Sequence, residues 1–514
     1  MTGYWQGNDD RTMLCRSQRL EVQLLLCCTR TFINAATADI IETLCCGNLD
    51  WTWLLSLADE HDVTGLLYQS LQDTCPDLVP VAVIDKLRRD FQTSTLNTLF
   101  FTQELVKLLQ LIEAYDIPVL PYKGPALAIA LYGNLSLRPF CDLDLLIHPQ
   151  DLVRVKHLLV AEGYDTLEVE DAQEAANIWS DNERDFVRHD RKVVLDLHWR
   201  ITPRFFPFEL PIEEIWKRRH SLSVLGTTVS TLAPEDLLLA LCAHGAKECW
   251  GKLKWICDIA ELIRAYPNLD WNWVLTQAKQ LHSQRMLLLG VGLAWQLLEV
   301  NLPETMQAAI QNEQTLPELT QQVCSYLFGS QPGESRFIPT LFRLWVRDRV
   351  SERVQYFVWR LFVPNVRDRR LIVLPKPLTF FYYLLRPLRL LGEKLGFIAR
   401  RNLGSNDSEQ KQSIAIQSDV DWVGKAIASA RPRSKSFDVY DLGDELLIYD
   451  LEGELGITLN HSSKQIWQLC DGTHTIEDMA TILCQQLGCA GEVLLEDIYT
   501  TVTQFHKLGL LESL

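Results

Sequence analysis

No stretch of the chain approaches the roughly 18 to 20 uninterrupted apolar residues that a spanning helix requires. The nearest, Leu378–Leu385, is bounded by Lys376, Pro377, Arg386 and Pro387. A membrane-spanning helix is thereby excluded. The amino-terminal run MTGYWQGNDD is polar and acidic, which is unlike a secretory signal, so a cytoplasmic location is expected. There is no CxxC pair and no Cys/His cluster at zinc-ligand spacing among the 14 cysteines. A chain this long does not depend on disulfide staples, so reduced, buried cysteines are expected. Positive charge is also short: 49 Lys+Arg face 66 Asp+Glu, a net charge of −17. That balance argues against a general nucleic-acid binder, which needs a basic surface.

What the chain does have is globular composition, 47% apolar and 22% charged, over 514 residues. At a prior of roughly 150 residues per domain this is about three compact units. The charge is uneven. Residues 341–402 hold 14 Lys+Arg against 4 Asp+Glu and are rich in aromatics (Trp345, Tyr356, Phe357, Trp359, Phe380–Tyr383). A helical bundle packing onto the acidic remainder, an anionic membrane contact or a grip on an acidic peptide would each account for that segment.

The hydrophobic period divides the chain. Residues 1–115 read as amphipathic helices, and 116–232 as an αβ core. Within that core are a strand at Ile117–Tyr122, a helical run to Tyr132, a strand at Asp142–Ile147, a helix at Asp151–Gly163 and a hairpin over Arg184–Trp199. Helical period returns over Pro234–Ile263, with a start signal at Pro234, and helix fills 233–402. Residues 403–436 are polar and aperiodic and read as a linker, and 437–514 form a small domain of hairpin and three helices.

Asp142-Leu143-Asp144 is the most informative local pattern. On a strand, side chains two apart leave the same face, so both carboxylates converge while Leu143 and Leu145 point to the core. Two like charges this close call for a cation, and Mg²⁺ or Mn²⁺ shared with phosphate oxygens is the natural one. Asp196, with His198 on the same face of Val193–Trp199, supplies a third carboxylate from a neighbouring strand. Lys123-Gly124 follows a strand and opens a helix, where backbone amides can approach phosphate. Arg138, four residues before Asp142, is expected to reach a triphosphate. His244 and Asp258 are 14 residues apart and share a face if one helix carries both.

This set resembles the polymerase-beta-type nucleotidyltransferase superfamily, and more closely a bacterial family of uncharacterised nucleotidyltransferases. The matching residues are Lys123, Gly124, Leu131, Tyr132, Gly133, Arg138, Asp142 and Asp144, then Asp196–Trp199 and His244…Trp250…Trp255…Asp258. The resemblance spans roughly residues 20 to 400. It implies an α+β nucleotidyltransferase fold, a small mixed sheet with flanking helices inside a mostly helical domain. It further implies Asp142, Asp144 and Asp196 as catalytic metal ligands; the residues themselves suggest Lys123, Gly124 and Arg138 at the nucleotide, and His198 and His244 positioning substrate. The superfamily's Gly-Ser turn is Lys-Gly here, and the interval from Gly124 to Asp142 is longer than usual.

Residues 444–514 are similar to the PqqD family, on Leu446–Gly453, Thr458-Leu459-Asn460, Ile466–Leu469, Asp471-Gly472, Thr475-Ile476 and Leu508–Leu511. The resemblance implies a winged-helix-like domain that recognises the leader of a ribosomally made peptide. Its groove would be lined by the strand Gly456, Ile457, Thr458 and Leu459 and by the helix Leu494–Leu508. A domain of this size suits strand addition at a sheet edge better than a deep pocket.

Together these imply a Mg²⁺-dependent transfer of a nucleoside monophosphate from a nucleoside triphosphate (NTP), in a ribosomal-peptide or related pathway. The small domain would bind the precursor peptide or a pathway enzyme. Two alternatives stay open: transfer to a small molecule with the small domain as a docking module, and a non-catalytic adaptor.

Overall fold

The computed structural model describes residues 19–166, 182–190, 192–203, 206, 208–329, 339–363, 381–387 and 389, then 433–434, 438–441, 446–450, 455–459, 461–487, 498, 501–502, 505 and 510–513. Two compact units divide the chain, residues 1–357 and 358–514. Of the expected linker, all but Arg433 and Ser434 lie outside the described residues.

The first unit opens with α1 (Leu20–Cys28), α2 (Ala35–Cys45), α3 (Trp51–Glu60) and α4 (Thr64–Thr74). Asn34 and Asp50 start α2 and α3 by accepting the amides of Thr37 and Trp53, donors that a first turn leaves open. The helix α5 (Val81–Glu113) runs 33 residues, on the order of 50 Å. Near its end it buries Leu105, Leu108, Leu109 and Ile112 at three-to-four spacing.

The αβ core follows: β1 (Val119–Pro121), the single turn α6 (Gly124–Leu127) continuing as a wider π-type turn over Ala128–Tyr132, and β2 (Asp142–Ile147). Then come α7 (Leu152–Ala161), β3 (Tyr164–Thr166), β4 (Glu183–Arg188) and β5 (Val194–His198). The sheet order is β1-β2-β5-β4-β3, with β2 and β5 parallel and the other pairs antiparallel. After α8 (Ile212–Arg218), a hairpin of β6 (His220–Val224) and β7 (Thr227–Thr231) had no sequence expectation. Its turn holds Leu225 and Gly226 at φ 47° and 80°, a left-handed pair suited to a tight hairpin. Leucine at the first position disguises that signal. The hydroxyl of Thr231 donates to the Pro121 carbonyl at 2.6 Å, tying the hairpin to β1.

Helices complete the unit: α9 (Pro234–Lys247), α10 (Leu253–Ala265), α11 (Trp271–Gln280), α12 (Gln284–Leu298), α13 (Glu304–Asn312), α14 (Leu316–Phe328), α15 (Pro339–Trp345) and α16 (Val350–Phe362), which runs past the unit's end. The helical stretch Pro234–Ile263 is two helices, α9 and α10. Cys249 and Trp250 adopt φ 56° and 53° between them, and the turn swings the Trp250 indole into the core. It lies against Gly245 of α9 and Gly290 of α12, where an added Cβ would meet the ring at 2.5 Å and 2.9 Å.

Alternation along β2 separates two apolar layers. Leu143, Leu145 and Ile147 join Leu195, Leu197 and residues of α5 and α7 on one side. Leu146 faces the other, with Leu120, Tyr122 and a larger core built from helices both before and after the sheet. The aspartates of β2 therefore point toward this larger helical layer.

In the second unit, β8 (Arg433–Ser434), β9 (Asp438–Asp441), β10 (Leu446–Asp450), β11 (Leu455–Leu459), α17 (His461–Gln468), α18 (Ile476–Leu487) and β12 (Leu511–Ser513) are described. An antiparallel sheet of order β11-β10-β9 covers a core that includes Leu446, Ile448, Trp467, Met479 and Phe505. Trp467 meets Phe505 edge-on at 5.4 Å. Of the expected third helix, Ile498, Thr501, Val502 and Phe505 are described and helical.

Replacing Gly245 with alanine forces a methyl group onto Trp250. Urea denaturation is expected to show a loss of about 1–3 kcal/mol, with the slope unchanged.

Candidate active site

Register brings the acidic side chains together. Parallel pairing sets Asp144 opposite Asp196 and Leu146 opposite His198. On the other side of β5, Asp185 faces Asp196 and Glu183 faces His198. With a period of two, Asp142, Asp144, Asp196, His198, Glu183 and Asp185 share one face of the sheet. The expected convergence of Asp142, Asp144 and Asp196 is thus present in the fold.

Asp144 is the buried centre. Its Oδ1 accepts Lys123 Nζ at 3.0 Å and lies 3.1 Å from His198 Nε2. The other imidazole nitrogen of His198 is 3.0 Å from Glu183 Oε2, near enough for an ion pair but off the hydrogen-bonding direction. Burial opposes the Asp144 charge, but Lys123 and His198 overcome it and hold the carboxyl well below its usual range. For Lys123, too, burial opposes the charge, and Asp144 outweighs it, raising the ammonium well above its ordinary value. Burial likewise disfavours the imidazolium, yet Glu183 and Asp144 push His198 up to about 9. Glu183 is lowered because His198 outweighs its burial.

Asp142 and Asp196 have less compensation. Burial first, then Asp144, raises Asp142. Burial, then Asp142, Asp185 and Asp144, raises Asp196 well above its ordinary value. Charge is therefore short on the cationic side, which is the condition a divalent ion relieves. Asp144, Asp196 and His198 present ligand atoms within 4.8 Å of one another, and Asp142 is two residues from Asp144 on the same strand face. Carboxylate oxygens are the donors that Mg²⁺ and Mn²⁺ accept, so the residues fit the ion.

Gly124 has φ 52°, and a Cβ there would stand 3.2 Å from the Asp142 carbonyl. The turn thus packs directly on the start of β2. The α6 turn continues directly into the π-type turn that ends at Tyr132.

Arg138 has a different partner from the triphosphate anticipated for it. Its Nε and Nη2 donate to the two oxygens of Asp258 at 2.7 Å and 2.9 Å, and the Tyr132 hydroxyl adds a third bond at 2.8 Å. Both charges are buried, and such a pair demands this bidentate geometry. His244 and Asp258, which would share a face only on a continuous helix, stand on α9 and α10. His244 lies edge-on to Trp255 at 5.3 Å. Burial, then Lys123 and Lys247, depresses it well below its usual value, so it is neutral.

Residues 47–299 match the family described as uncharacterised nucleotidyltransferase, and residues 445–511 match the family of coenzyme PQQ synthesis protein D (PqqD). The chain joins a nucleotidyltransferase-family domain to a PqqD domain. No curated protein matches it. The nucleotidyltransferase match covers helices before the sheet, the sheet itself and α9 to α12, so it contains every acidic residue above.

Sequence reasoning passed over Tyr122, Glu183, Asp185, Lys247 and Lys254. Glu183 and Asp185 alternate on β4, a signal visible once the hairpin is known. Tyr122 was read only as the end of a strand, yet its buried hydroxyl makes no hydrogen bond to a described residue. Its ring is edge-on to His198 at 5.4 Å and lies 5.1 Å from Lys123 Nζ. In the PqqD domain, Gly456, Ile457, Thr458 and Leu459 belong to β11, an edge of its sheet. Leu459 is turned into the domain core.

Changing Asp258 to asparagine leaves Arg138 buried without its counter-charge. A stability loss of about 3–5 kcal/mol is expected in chemical denaturation. The His198 value is raised above its unfolded one, so its stabilisation is complete below pH 6.5 and disappears as pH rises through about 9. Thermal melting of the metal-free protein should show this decline, and His198→Gln should flatten it.

Proposed function

We propose that the nucleotidyltransferase-family domain transfers a nucleoside monophosphate from an NTP, with Mg²⁺, to an acceptor presented through the PqqD domain. The observation that carries this reading is the meeting of Asp142, Asp144 and Asp196 on one sheet face with less cationic charge than they require.

Asp142, Asp144 and Asp196 would hold the metal, which when bound stabilises charge on the phosphates and activates the attacking oxygen. Lys123 gives up part of its hold on Asp144 and turns its ammonium to the phosphates. His198, anchored by Glu183, keeps Asp144 oriented. Gly124 lets the β1–α6 turn lie close to the nucleotide. Lys254, among the cations that lower Asp142, and the neutral His244 border the same space. Arg138 acts at a distance, fixing the Tyr132 turn to α10 through Asp258. The acceptor oxygen attacks the α-phosphate and pyrophosphate leaves.

Tyr122 supplies a hydrogen-bond donor to the substrate. Burial raises its phenol, so the hydroxyl keeps its proton, and an unmet buried hydroxyl costs about 1–3 kcal/mol until a partner arrives.

We further infer that the acceptor is a ribosomal precursor peptide or an intermediate carried on one. Among the described residues β11 is an edge of its sheet, suited to strand addition, with Gly456, Ile457 and Thr458 along it. Tethering through a flexible linker would keep the captured peptide at a local concentration of about millimolar. A protein acting on a small molecule would not need that edge.

Calorimetry of the four NTPs tests the catalytic half. Metal-dependent binding is expected for the native protein and is expected to vanish in Asp142→Asn/Asp144→Asn. No binding at millimolar nucleotide would leave the adaptor reading. Tyr122→Phe should weaken NTP binding roughly 5- to 30-fold, as for one buried hydrogen bond, while leaving the melting temperature equal or higher.

A further inference from the structure

The helix α16 is inverted relative to an ordinary surface helix, whose apolar side faces the core. It docks through Tyr356, which is buried and whose ring centroid lies 4.1 Å from the buried Arg347 guanidinium. Its aliphatic side points away: Val350, Val354, Phe357 and Val358 are 69%, 56%, 55% and 47% exposed. The spacing of these four places them along one stripe. Glu352, the one acidic residue of α16, stands a turn before Tyr356 on the docked side.

The border of the stripe is aromatic and basic. Trp345, ending α15, is 49% exposed, and the Arg353 guanidinium lies 5.1 Å from its ring centroid. Arg349 and Arg360 are exposed at either end of the helix. The stripe lies in the stretch where the otherwise acidic chain carries 14 Lys+Arg against 4 Asp+Glu. Arg347 packs onto the remainder of the chain, its guanidinium 5.3 Å from the Phe206 ring centroid, while the stripe is exposed.

We propose that this face is a peripheral binding surface for an anionic lipid bilayer. A contiguous apolar patch left in water marks an interaction site. An aliphatic stripe bordered by tryptophan and arginine is the pattern that inserts at the headgroup boundary, with the cations meeting lipid phosphates. A single convex helix face offers no groove to hold an acidic peptide. Among the described residues no helix is long and apolar enough to cross a membrane, so the chain lies along the surface. This proposal stands independently of the transferase reading.

Sedimentation of the full chain with vesicles tests it, using phosphatidylcholine with and without phosphatidylglycerol. Binding is expected only with phosphatidylglycerol, to weaken with added salt, and to fall at least about tenfold in Val354→Glu/Phe357→Glu. Both positions are exposed, so the variant should melt with the native protein. Absence of binding to phosphatidylglycerol vesicles, or equal binding by the variant, would overturn the proposal. So would capture of polyglutamate without vesicle binding, or a variant that changes only the oligomeric mass in light scattering.

Discussion

The buried carboxylate of Asp144 is the constraint around which the nucleotidyltransferase-family domain is organised. An ionised group away from water must be met by opposite charge, and Lys123 and His198 both meet it at one oxygen. Lys123 arrives from the turn after β1, and His198 from β5, itself paired in parallel with β2. Glu183 on β4 then holds the far side of His198. Four segments distant in sequence are thereby bound by one charge network. The same network leaves Asp142 and Asp196 under-compensated, with carboxyls raised above their ordinary values.

A second buried network supports the first without belonging to it. Arg138, Asp258 and Tyr132 lock the segment between α6 and β2 onto α10. Nearby, the left-handed turn at Cys249 and Trp250 separates α9 from α10 and lets one indole fill the space against two glycines. Together they fix the helical layer that faces the acidic residues. Helices before and after the sheet share one core, so the sheet is embedded in the helical unit rather than appended to it. The PqqD domain, by contrast, has a separate core.

Much of this was legible because it rests on local periodicity. Asp142–Ile147 reads as a strand from its apolar alternation, and the shared face of Asp142 and Asp144 follows from a period of two. Asp196 and His198 follow in the same way on β5. Both family matches agree with motifs visible in the chain. The hairpin at His220–Thr231 was not legible, since leucine occupies a turn position where glycine or asparagine would have announced it. The role of Arg138 was misread for a different cause. An arginine near an aspartate pair suggests phosphate, and nothing local tells that a buried carboxylate 120 residues later will claim both arms of the fork.

The sequence by itself determined which residues carry charge, which strands present them on one side, and that a PqqD domain follows a nucleotidyltransferase-family domain. These are consequences of residue type, spacing and composition, each confined to a short window. Tertiary structure alone decided which charges neutralise one another, which histidine is cationic and which neutral, and which side of α16 faces water. Those outcomes depend on desolvation and on distances between segments far apart in the chain, and such quantities come into being only when the chain has packed.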